Sequence, residues 1–570
     1  MLRLGGAARY VRVGMAICGG LLLSAIGLPR ALAATACEDL LKLHAPNVTI
    51  TTAVDSPATF SSNLGQTTLA TPVCRVNGFL TPTRDSHIGF EVWLPPANAW
   101  NQKYEAVGNG GLSGALNYRA MVPGFNRGYA TMTTDLGHTN NPPQAGEDAT
   151  WALGHPDKVV DYAYRAEHLS TVVAKWLIEA YYGKASTHSY FTGCSAGGIA
   201  GMTELLRYPK DYDGYIIGDA TPDHLGQEIG ALWNTLAASL ANPAEALQPA
   251  QIALVHQRIL QQCVAKDGGA PSDPFLTDPM ECNFDPAVLR CDAGQDPSTC
   301  LSQAQLEIFR KIYQGPVEPN THESILSGLT PGSELMWDRY FVGKKNPVAA
   351  DRPWAGFLTY MVYSDPDYLA HEKYLSFGFG GDYAAVRRKR VGGESLDSSW
   401  NTRNRDLDAF RQAGGKIIHY HGWDDPNIPP LEAVKFFMSV LDNQARRHRL
   451  GPEQALQMTR QFYRLFMVAG MGHCFGGEGP SSFGQNGQRP QKADPEYDTL
   501  LALERWVENG VAPERFIASR LNSKTSAVEM TRPICPYPQS PVWNGSGNAN
   551  EAGSFECADD RRSRAAQSSR

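Results

Sequence analysis

The sequence predicts an α/β fold, in which β-strands and helices alternate along the chain. A β-prone run at residues 189–192 leads into Gly-Cys-Ser-Ala-Gly-Gly at residues 193–198, and apolar residues then recur at helical spacing over 199–208. Two later β-type runs, at 416–420 and 462–468, each end in a loop that carries polar residues. Strands that alternate with helices indicate a sheet covered by helices, and polar loops at strand ends indicate a site.

The distribution of these elements divides the chain into a core and an insertion. In residues 34–222 short β-type runs end at breakers, and the helical pattern of 161–182 stops at Gly183. Residues 223–400 differ, because they hold four clustered cysteines, many prolines and long irregular segments. The β-type pattern then resumes in residues 401–570. We expect two core parts around a large inserted lid domain, since 570 residues exceed one ordinary domain.

The first 33 residues have the three parts of a secretory signal peptide. Arginines precede an apolar stretch at residues 13–28, and Ala-Leu-Ala follows at 31–33 as a small-residue cleavage site. A membrane anchor is the alternative, but the apolar stretch is short for a spanning helix. We therefore predict residues 1–33 as a signal peptide and the mature protein as secreted or periplasmic, without membrane attachment.

Composition and charge limit the classes of function. Hydrophobic residues make up 42% of the chain and charged residues 19%, as in a globular protein with a large core. The formal net charge of -7 is spread along the chain, and no basic stripe that could neutralise phosphates is present. Nucleic acid is therefore excluded as a predicted partner.

Cysteine usage agrees with export. Cleavage after residue 33 removes one of the 11 cysteines and leaves an even number, which in an exported chain indicates disulfide bridges. A zinc site is the alternative, but no Cys-x-x-Cys pair with a matching second pair occurs. The remaining cysteines are Cys37, Cys74, Cys194, Cys263, Cys282, Cys291, Cys300, Cys474, Cys535 and Cys557.

The motif Gly-x-Ser-x-Gly around Ser195 is typical of a nucleophile elbow. Gly193 and Gly197 flank the serine because the strand-to-helix turn is too tight for side chains at either position. The bare pattern is common, and a plain turn is the alternative. Its place between a β-prone run and a helical run favours a catalytic serine.

A serine nucleophile requires a base, and the base requires an orienting acid, in the chain order Ser, acid, His for this kind of elbow. Asp425 and His473 follow Ser195 in that order, and each lies just after a β-type run. The neighbouring Asp424 is an alternative acid. The sequence favours Asp425 as the acid and His473 as the general base.

Two cysteines adjoin the predicted catalytic residues. Cys194 precedes Ser195, and Cys474 follows His473. If serine and histidine touch, the neighbouring α-carbons come near the roughly 4.4 to 6.8 Å separation that a disulfide needs. The alternative is two buried free thiols, which export disfavours. We expect a bridge that ties the nucleophile to the base.

Backbone N–H groups should stabilise the oxyanion of the tetrahedral intermediate. One donor is normally the residue after the nucleophile, here Ala196. A second donor is expected from the glycine-rich loop at residues 108–111, where Gly110 and Gly111 remain equal candidates.

These motifs resemble the tannase and feruloyl esterase family. The resemblance rests on residues 193–198, on Asp425-Pro426 and on Gly-His-Cys-Phe-Gly-Gly at residues 472–477, and it extends over nearly the whole mature chain. It implies an α/β-hydrolase fold with a large inserted lid domain. It also implies an esterase for a small aromatic ester: feruloylated plant polysaccharide fragments, gallate esters or mono(2-hydroxyethyl) terephthalate.

The resemblance further implies a disulfide pattern and places the acyl pocket in the lid. Lid aromatic residues could stack on the aromatic acid, although most are expected to fill the lid's own core, and several arginines could meet a substrate carboxylate. The implied bridges are Cys37–Cys74, Cys194–Cys474, Cys263–Cys282, Cys291–Cys300 and Cys535–Cys557.

Many members of this family hold a structural calcium ion in an acidic loop of the lid. Here the loop departs from that pattern, because Val264 stands at the position of the first acidic ligand and the spacing of the remaining acids is longer. Asp267 and Asp273, with the carbonyls of Gly269 and Phe275, remain as ligands for Ca2+. Calcium and a solvated loop stay open as alternatives.

The predicted mechanism needs no cofactor for catalysis. Ser195 attacks the ester carbonyl while His473 takes its proton, and water then hydrolyses the acyl-enzyme. An acyltransferase would use the same acyl-enzyme with another acceptor. A secreted binding protein without turnover is the second alternative, but it would have no need for all three catalytic residues.

Overall fold

The computed structural model describes residues 34–140, 148–240, 245–342, 353–402 and 404–559. The predicted signal peptide, residues 1–33, lies outside the described residues. Among the helices that the structure describes, each is too short or too polar to cross a lipid bilayer.

Seventeen strands are described, numbered in chain order: β1 Val48–Ser56, β2 Thr59–Ser62, β3 Gly65–Thr68, β4 Val73–Leu80, β5 Ile88–Leu94, β6 Lys103–Val107, β7 Ala130–Thr134, β8 His188–Cys194, β9 Gly214–Gly218, β10 Arg390–Val391, β11 Glu394–Ser395, β12 Lys416–Gly422, β13 Tyr463–Val468, β14 Phe516–Leu521, β15 Val528–Ile534, β16 Gln539–Trp543 and β17 Phe555–Asp559.

The described α-helices are α1 Tyr118–Phe125, α2 Pro156–Val160, α3 Ala166–Tyr182, α4 Ala196–Arg207, α5 His224–Thr235, α6 Pro249–Cys263, α7 Gln303–Gln314, α8 Pro353–Gly356, α9 Gly381–Arg388, α10 Leu396–Trp400, α11 Asp408–Gln412, α12 Leu431–His448, α13 Pro452–Arg460 and α14 Thr499–Asn509. The predicted helical stop at Gly183 is present, because this glycine takes a left-handed conformation (φ 69°) directly after α3.

A nine-stranded sheet organises the fold, in the order β1-β4-β5-β7-β6-β8-β9-β12-β13. The strands from β1 to β7 pair antiparallel, and those from β7 to β13 pair parallel. The central strands β7 and β9 are buried along their whole length, as expected for strands covered on both faces. The predicted α/β fold class is confirmed.

The parallel half of the sheet places the loops that carry the predicted catalytic residues side by side. Strands β8, β9, β12 and β13 are consecutive neighbours, with Cys194 opposite Gly218 and Gly422 opposite Val468. Because parallel strands all end at the same edge, the loops that follow them meet there. The residues after β8, β12 and β13 are therefore brought together.

The described residues of the segment from 223 to 400 contribute no strand to the large sheet. Residues 237–342 contribute to a separate hydrophobic cluster that includes Trp337, Phe309 and Leu306. Residues beyond 353 pack differently, since Trp354 and Trp400 join the main core cluster. Part of the inserted segment thus has a core of its own, and part extends the core of the sheet.

The described residues form five disulfide bridges, and they are the five pairs that the family resemblance implies. Two close short loops within the inserted segment, one ties the first described helical turn to β4, and one holds the C-terminal hairpin. The pairs are Cys37–Cys74, Cys194–Cys474, Cys263–Cys282, Cys291–Cys300 and Cys535–Cys557.

Candidate active site

Ser195 lies on a sharp turn between β8 and α4. Its backbone has φ 62° and ψ -130°, a strained conformation that lifts the side chain above the sheet edge. A Cβ atom on Gly193 would lie 2.3 Å from the carbonyl oxygen of Gly197. Glycine is therefore required beside the serine, as the elbow motif predicts.

The three predicted catalytic residues form a continuous chain of hydrogen bonds. Ser195 Oγ lies 2.7 Å from His473 Nε2, and His473 Nδ1 lies 2.7 Å from Asp425 Oδ2. These distances allow the serine hydroxyl to donate to Nε2 while Nδ1–H donates to the carboxylate. The arrangement can deprotonate Ser195 and stabilise the imidazolium that results.

Asp425 is fully buried yet held in its charged form. Burial alone would raise the pKa of this carboxyl, but protonated His473 and a hydrogen bond from His421 outweigh burial and hold the pKa well below its usual range. Asp425 Oδ1 also accepts hydrogen bonds from the backbone N–H of Asn427 and Ile428, at 2.8 and 3.1 Å. An ionised carboxylate is the form that orients His473.

The alternative acid, Asp424, does not contact His473 through any hydrogen bond of the described residues. Burial and the nearby charges of Glu334 and Glu478 raise the pKa of Asp424 well above its usual range. Its Oδ1 atom has no hydrogen-bond partner among the described residues. The two adjacent carboxyls therefore have opposite electrostatic surroundings.

The Cys194–Cys474 bridge joins the serine loop to the histidine loop, with the two α-carbons 6.0 Å apart. This separation lies inside the roughly 4.4 to 6.8 Å range that disulfides adopt. Cys474 itself takes a positive φ of 65°, so the chain turns sharply just after His473. The bridge fixes two catalytic loops to each other.

Two buried residues of the site were not singled out by the sequence patterns. Asp219 follows β9, and His421 lies near the end of β12. His421 Nε2 is 3.3 Å from Asp425 Oδ2 and 3.6 Å from Asp219 Oδ1. Their signal was present but weak: each is a polar residue at the end of an otherwise apolar run, like the predicted catalytic residues.

The loop at residues 108–111 packs directly against the serine elbow. A Cβ on Gly108 would lie 2.6 Å from the Cα of Gly197, so this approach is backbone to backbone. Gly110 has open space around it, and Gly111 takes a positive φ of 56°. Gly110, Gly111 and Ala196 all line the cavity beside Ser195, as residues of an oxyanion hole must.

A cavity of about 520 Å³ opens over Ser195 and His473. Its size is in the range of pockets that hold small organic ligands. The inserted segment contributes to the wall: Tyr340 places its ring 6.2 Å from the His473 ring, and Arg339 lines the same cavity. Other residues of the wall are Leu112, Tyr162, Ile199, His224, Gln227, Glu228, Asn427, Phe475 and Asn486.

Comparison with known proteins agrees with this site. A family model described as tannase and feruloyl esterase matches residues 74–558, which is most of the chain. This chain belongs to the tannase and feruloyl esterase family. An uncharacterized esterase of Xanthomonas campestris pv. campestris is 38% identical over 99% of this chain and 96% of its own length. A protein named "Probable feruloyl esterase B-2" from Aspergillus terreus is 30% identical over 90% of this chain and 93% of its own length.

Solved structures show the same architecture. Feruloyl esterase B from Aspergillus oryzae matches with a TM-score of 0.79 and 28% identity, over 92% of this chain and 99% of that one. Tannin acyl hydrolase from Aspergillus niger matches in fold, with a TM-score of 0.67 and 20% identity, over 91% of this chain and 92% of that one. The predicted α/β-hydrolase fold is confirmed, and this family member is a carboxylic ester hydrolase.

The aromatic residues of the proposed lid differ in their surroundings: Trp337 and Phe341 lie in the separate cluster of the inserted segment, whereas Phe357 joins the main core. Trp337 is fully buried and packs against Phe309 and Phe341 at ring separations of 5.6 Å. Tyr340 lines the cavity over Ser195. Arg387, by contrast, pairs with Asp397 at 3.1 Å.

The candidate calcium loop of this esterase is closed by a buried arginine. Asp267 accepts hydrogen bonds from the N–H groups of Gly269 and Thr277, at 2.9 and 2.6 Å. Asp273 accepts from Ala270 N–H at 2.9 Å and from the guanidinium of Arg532. Both oxygens of each carboxylate are therefore engaged by N–H donors.

These residues do not fit a calcium ion. Calcium takes six to eight oxygen ligands, and the positive charge beside Asp273 already comes from Arg532, which is 2% exposed. Gly269 and Phe275 lie in the same loop, but the four carboxylate oxygens that would join their carbonyls already accept hydrogen bonds from N–H donors.

Proposed function

We propose that this family member is an exported serine esterase that hydrolyses esters of aromatic acids through an acyl-enzyme on Ser195. The observation that carries the proposal is the hydrogen-bonded chain from Ser195 Oγ to His473 to buried Asp425, with both separations at 2.7 Å. A nucleophile and its base within this reach, with the base oriented by a third group, is the arrangement that acyl transfer requires.

In the first half-reaction, Ser195 Oγ attacks the ester carbonyl while its proton passes to His473 Nε2. The carbonyl oxygen becomes an oxyanion, for which we propose the N–H of Ala196 and one N–H from the loop at Gly110 and Gly111 as donors. The imidazolium then gives its proton to the departing alcohol. In the second half-reaction, water repeats these steps and releases the acid.

The substrate class is supported by the cavity and by the relatives. The wall over Ser195 carries Tyr340 from the proposed lid, residues 223–400, at a position where an aromatic acid could meet its ring. The Aspergillus terreus relative carries the name "Probable feruloyl esterase B-2". We therefore propose feruloyl, galloyl or terephthaloyl esters as substrates, with the acid group toward the lid.

Export is supported by the five disulfides, because such bridges persist in oxidising compartments. We propose that residues 1–33 are removed and that the mature enzyme acts in the periplasm or outside the cell. Intact-mass measurement of the exported protein tests this point directly. A mature chain that begins near residue 34 is expected, and a full-length exported chain would contradict it.

The activity test compares three esters on one oxidised enzyme preparation. Methyl ferulate, methyl gallate and mono(2-hydroxyethyl) terephthalate are incubated with the parent and with Ser195→Ala, and released acid is quantified. We expect turnover of at least one ester that Ser195→Ala abolishes. Equal rates in the parent and in Ser195→Ala would reject the proposed nucleophile.

A further inference from the structure

The buried carboxyl of Asp219 contacts residues near all three proposed catalytic residues. Its Oδ1 atom accepts a hydrogen bond from Gly422 N–H at 2.8 Å, at the end of β12 and directly before the loop that carries the acid. Its Oδ2 atom accepts from Cys474 N–H at 3.1 Å, directly after the catalytic histidine. The same oxygen lies 3.4 Å from Cys194 Sγ, directly before the nucleophile. One fully buried carboxyl therefore contacts the acid, base and nucleophile loops.

His421 lies between Asp219 and the catalytic acid. Its Nε2 atom faces three acceptors: the Ile428 carbonyl at 2.9 Å, Asp425 Oδ2 at 3.3 Å and Asp219 Oδ1 at 3.6 Å. Because all three are acceptors, Nε2 must carry a proton in either charge state of the ring. Asp425 Oδ2 is the same oxygen that accepts the His473 Nδ1–H. One oxygen is thus held between two imidazoles.

We propose that His421 and Asp219 are positioning residues of the catalytic acid: His421, held by its hydrogen bond to the Ile428 carbonyl, places Nε2 3.3 Å from Asp425 Oδ2, and Asp219 lies behind His421 and ties the neighbouring strand ends together. The proposal rests on the proposed serine esterase function. Neither residue lines the cavity over Ser195, so neither contacts the substrate. Their effect passes through Asp425 to the orientation and proton affinity of His473.

The charges around this pair are mutually dependent. Burial raises the pKa of Asp219 to about 7, opposed by the nearby imidazoles of His421 and His473. The pKa of His421 is raised, because the carboxylates of Asp219 and Asp425 together outweigh its burial. The other titratable neighbours are His419, which faces His421, and Tyr420, which faces Asp219.

The test compares His421→Leu, which removes the donor, with His421→Gln, whose amide can donate from nearly the same place as Nε2. His419→Asn is the matched control, because His419 is equally buried on β12, is hydrogen-bonded through Nδ1 to Tyr463 at 2.8 Å and does not contact the catalytic acid. All rates are expressed per active site titrated with a fluorophosphonate, so a loss of folded protein does not count as a loss of turnover.

We expect His421→Leu to lower kcat by about 10²-fold at little-changed KM, as a misplaced catalytic group does. His421→Gln should recover much of this loss, and His419→Asn should keep the parental kcat. Parental kcat per active site in His421→Leu would overturn the proposal. If fluorophosphonate does not label the parent at all, the proposed serine mechanism fails instead, so the two failures are distinguishable.

A pH profile provides the readout that a merely structural role would not move. The carboxylate of Asp219 favours the imidazolium of His473, so Asp219→Asn should shift the acidic limb of kcat/KM to lower pH. Should Asp219→Asn not fold, the Leu and Gln variants of His421 carry the test alone. A folded Asp219→Asn with the parental acidic limb and parental kcat would contradict the proposal.

Discussion

The proposed catalytic centre and the acidic loop of the proposed lid both contain buried aspartates, but the negative charge of these carboxylates is balanced by different partners. At the catalytic centre, Asp425 is paired with histidines and its pKa falls below the usual range. In the lid loop, Asp273 meets the guanidinium of Arg532, and its pKa is nevertheless raised by burial. A histidine partner can exchange its proton during a reaction, whereas arginine stays charged. The partner therefore decides whether a buried carboxylate serves chemistry or structure.

The largest loss of activity is expected when the proposed catalytic acid is replaced. Asp425→Asn keeps the shape of the side chain but favours the wrong His473 tautomer, and we expect kcat to fall by about 10⁴-fold. Asp424→Asn is the matched control, since Asp424 is adjacent and also buried but makes no hydrogen bond to His473. Steady-state kinetics on one aromatic ester measures both. Similar losses in the two variants would contradict the assignment of the acid.

The next largest effect is expected from the bridge between the serine and histidine loops. Replacing Cys194 and Cys474 together by serine frees the two loops, and turnover should fall on the order of 10²-fold. The double replacement of Cys291 and Cys300 removes a bridge of the lid instead and should leave kcat unchanged. Parental kcat in the first double variant would show that the bridge does not hold the catalytic geometry.

In the lid loop a comparable change should affect stability rather than turnover. Arg532→Ala leaves Asp273 buried without its partner, and we expect the free energy of unfolding to fall by about 3–5 kcal/mol. Arg520→Ala is the control, because Arg520 is partly exposed and should cost less than about 1 kcal/mol. Denaturant unfolding measures both, and kcat per active site should stay near the parental value. Equal stability of the two variants would argue against a structural ion pair.

The smallest effect is expected from calcium. A ligand that binds only the folded protein raises its melting temperature, so a calcium site would be visible in thermal melts with calcium and with chelator. Because Arg532 occupies the partner position of Asp273, we expect the two melting temperatures to agree. A clear stabilisation by calcium would contradict the arginine-closed loop and support a calcium site at Asp267 and Asp273.

The fold class and the catalytic candidates were accessible from sequence, because their signals are local. Ser195 lies between a strand and a helix, and Asp425 and His473 each follow a strand, so strand order alone brings them to one edge. The arginine of the lid loop was not accessible. Arg532 lies 259 residues beyond Asp273, and no local pattern links strand β15 to a loop of the proposed lid.

The sequence analysis did not identify Asp219 and His421 as site residues, for a related reason. Both lie at the ends of buried strands, where charged residues are uncommon. Their role in the site depends on contacts between distant parts of the chain, such as the hydrogen bond from Gly422 to Asp219, which are 203 residues apart. A buried polar residue at a strand end beside a catalytic loop is the signal that could have found them. The predicted catalytic residues also lie at strand ends, but they were found because they also match the nucleophile elbow and the chain order Ser, acid, His.

The most direct test of the central claim is to trap the acyl-enzyme. The parent and Ser195→Ala are mixed with methyl ferulate, quenched in acid within the first turnover, digested and analysed by mass spectrometry. The account predicts one feruloyl group on the parental peptide that contains Ser195, and none in the variant. A feruloyl group on another residue, or hydrolysis that continues in Ser195→Ala, would contradict it.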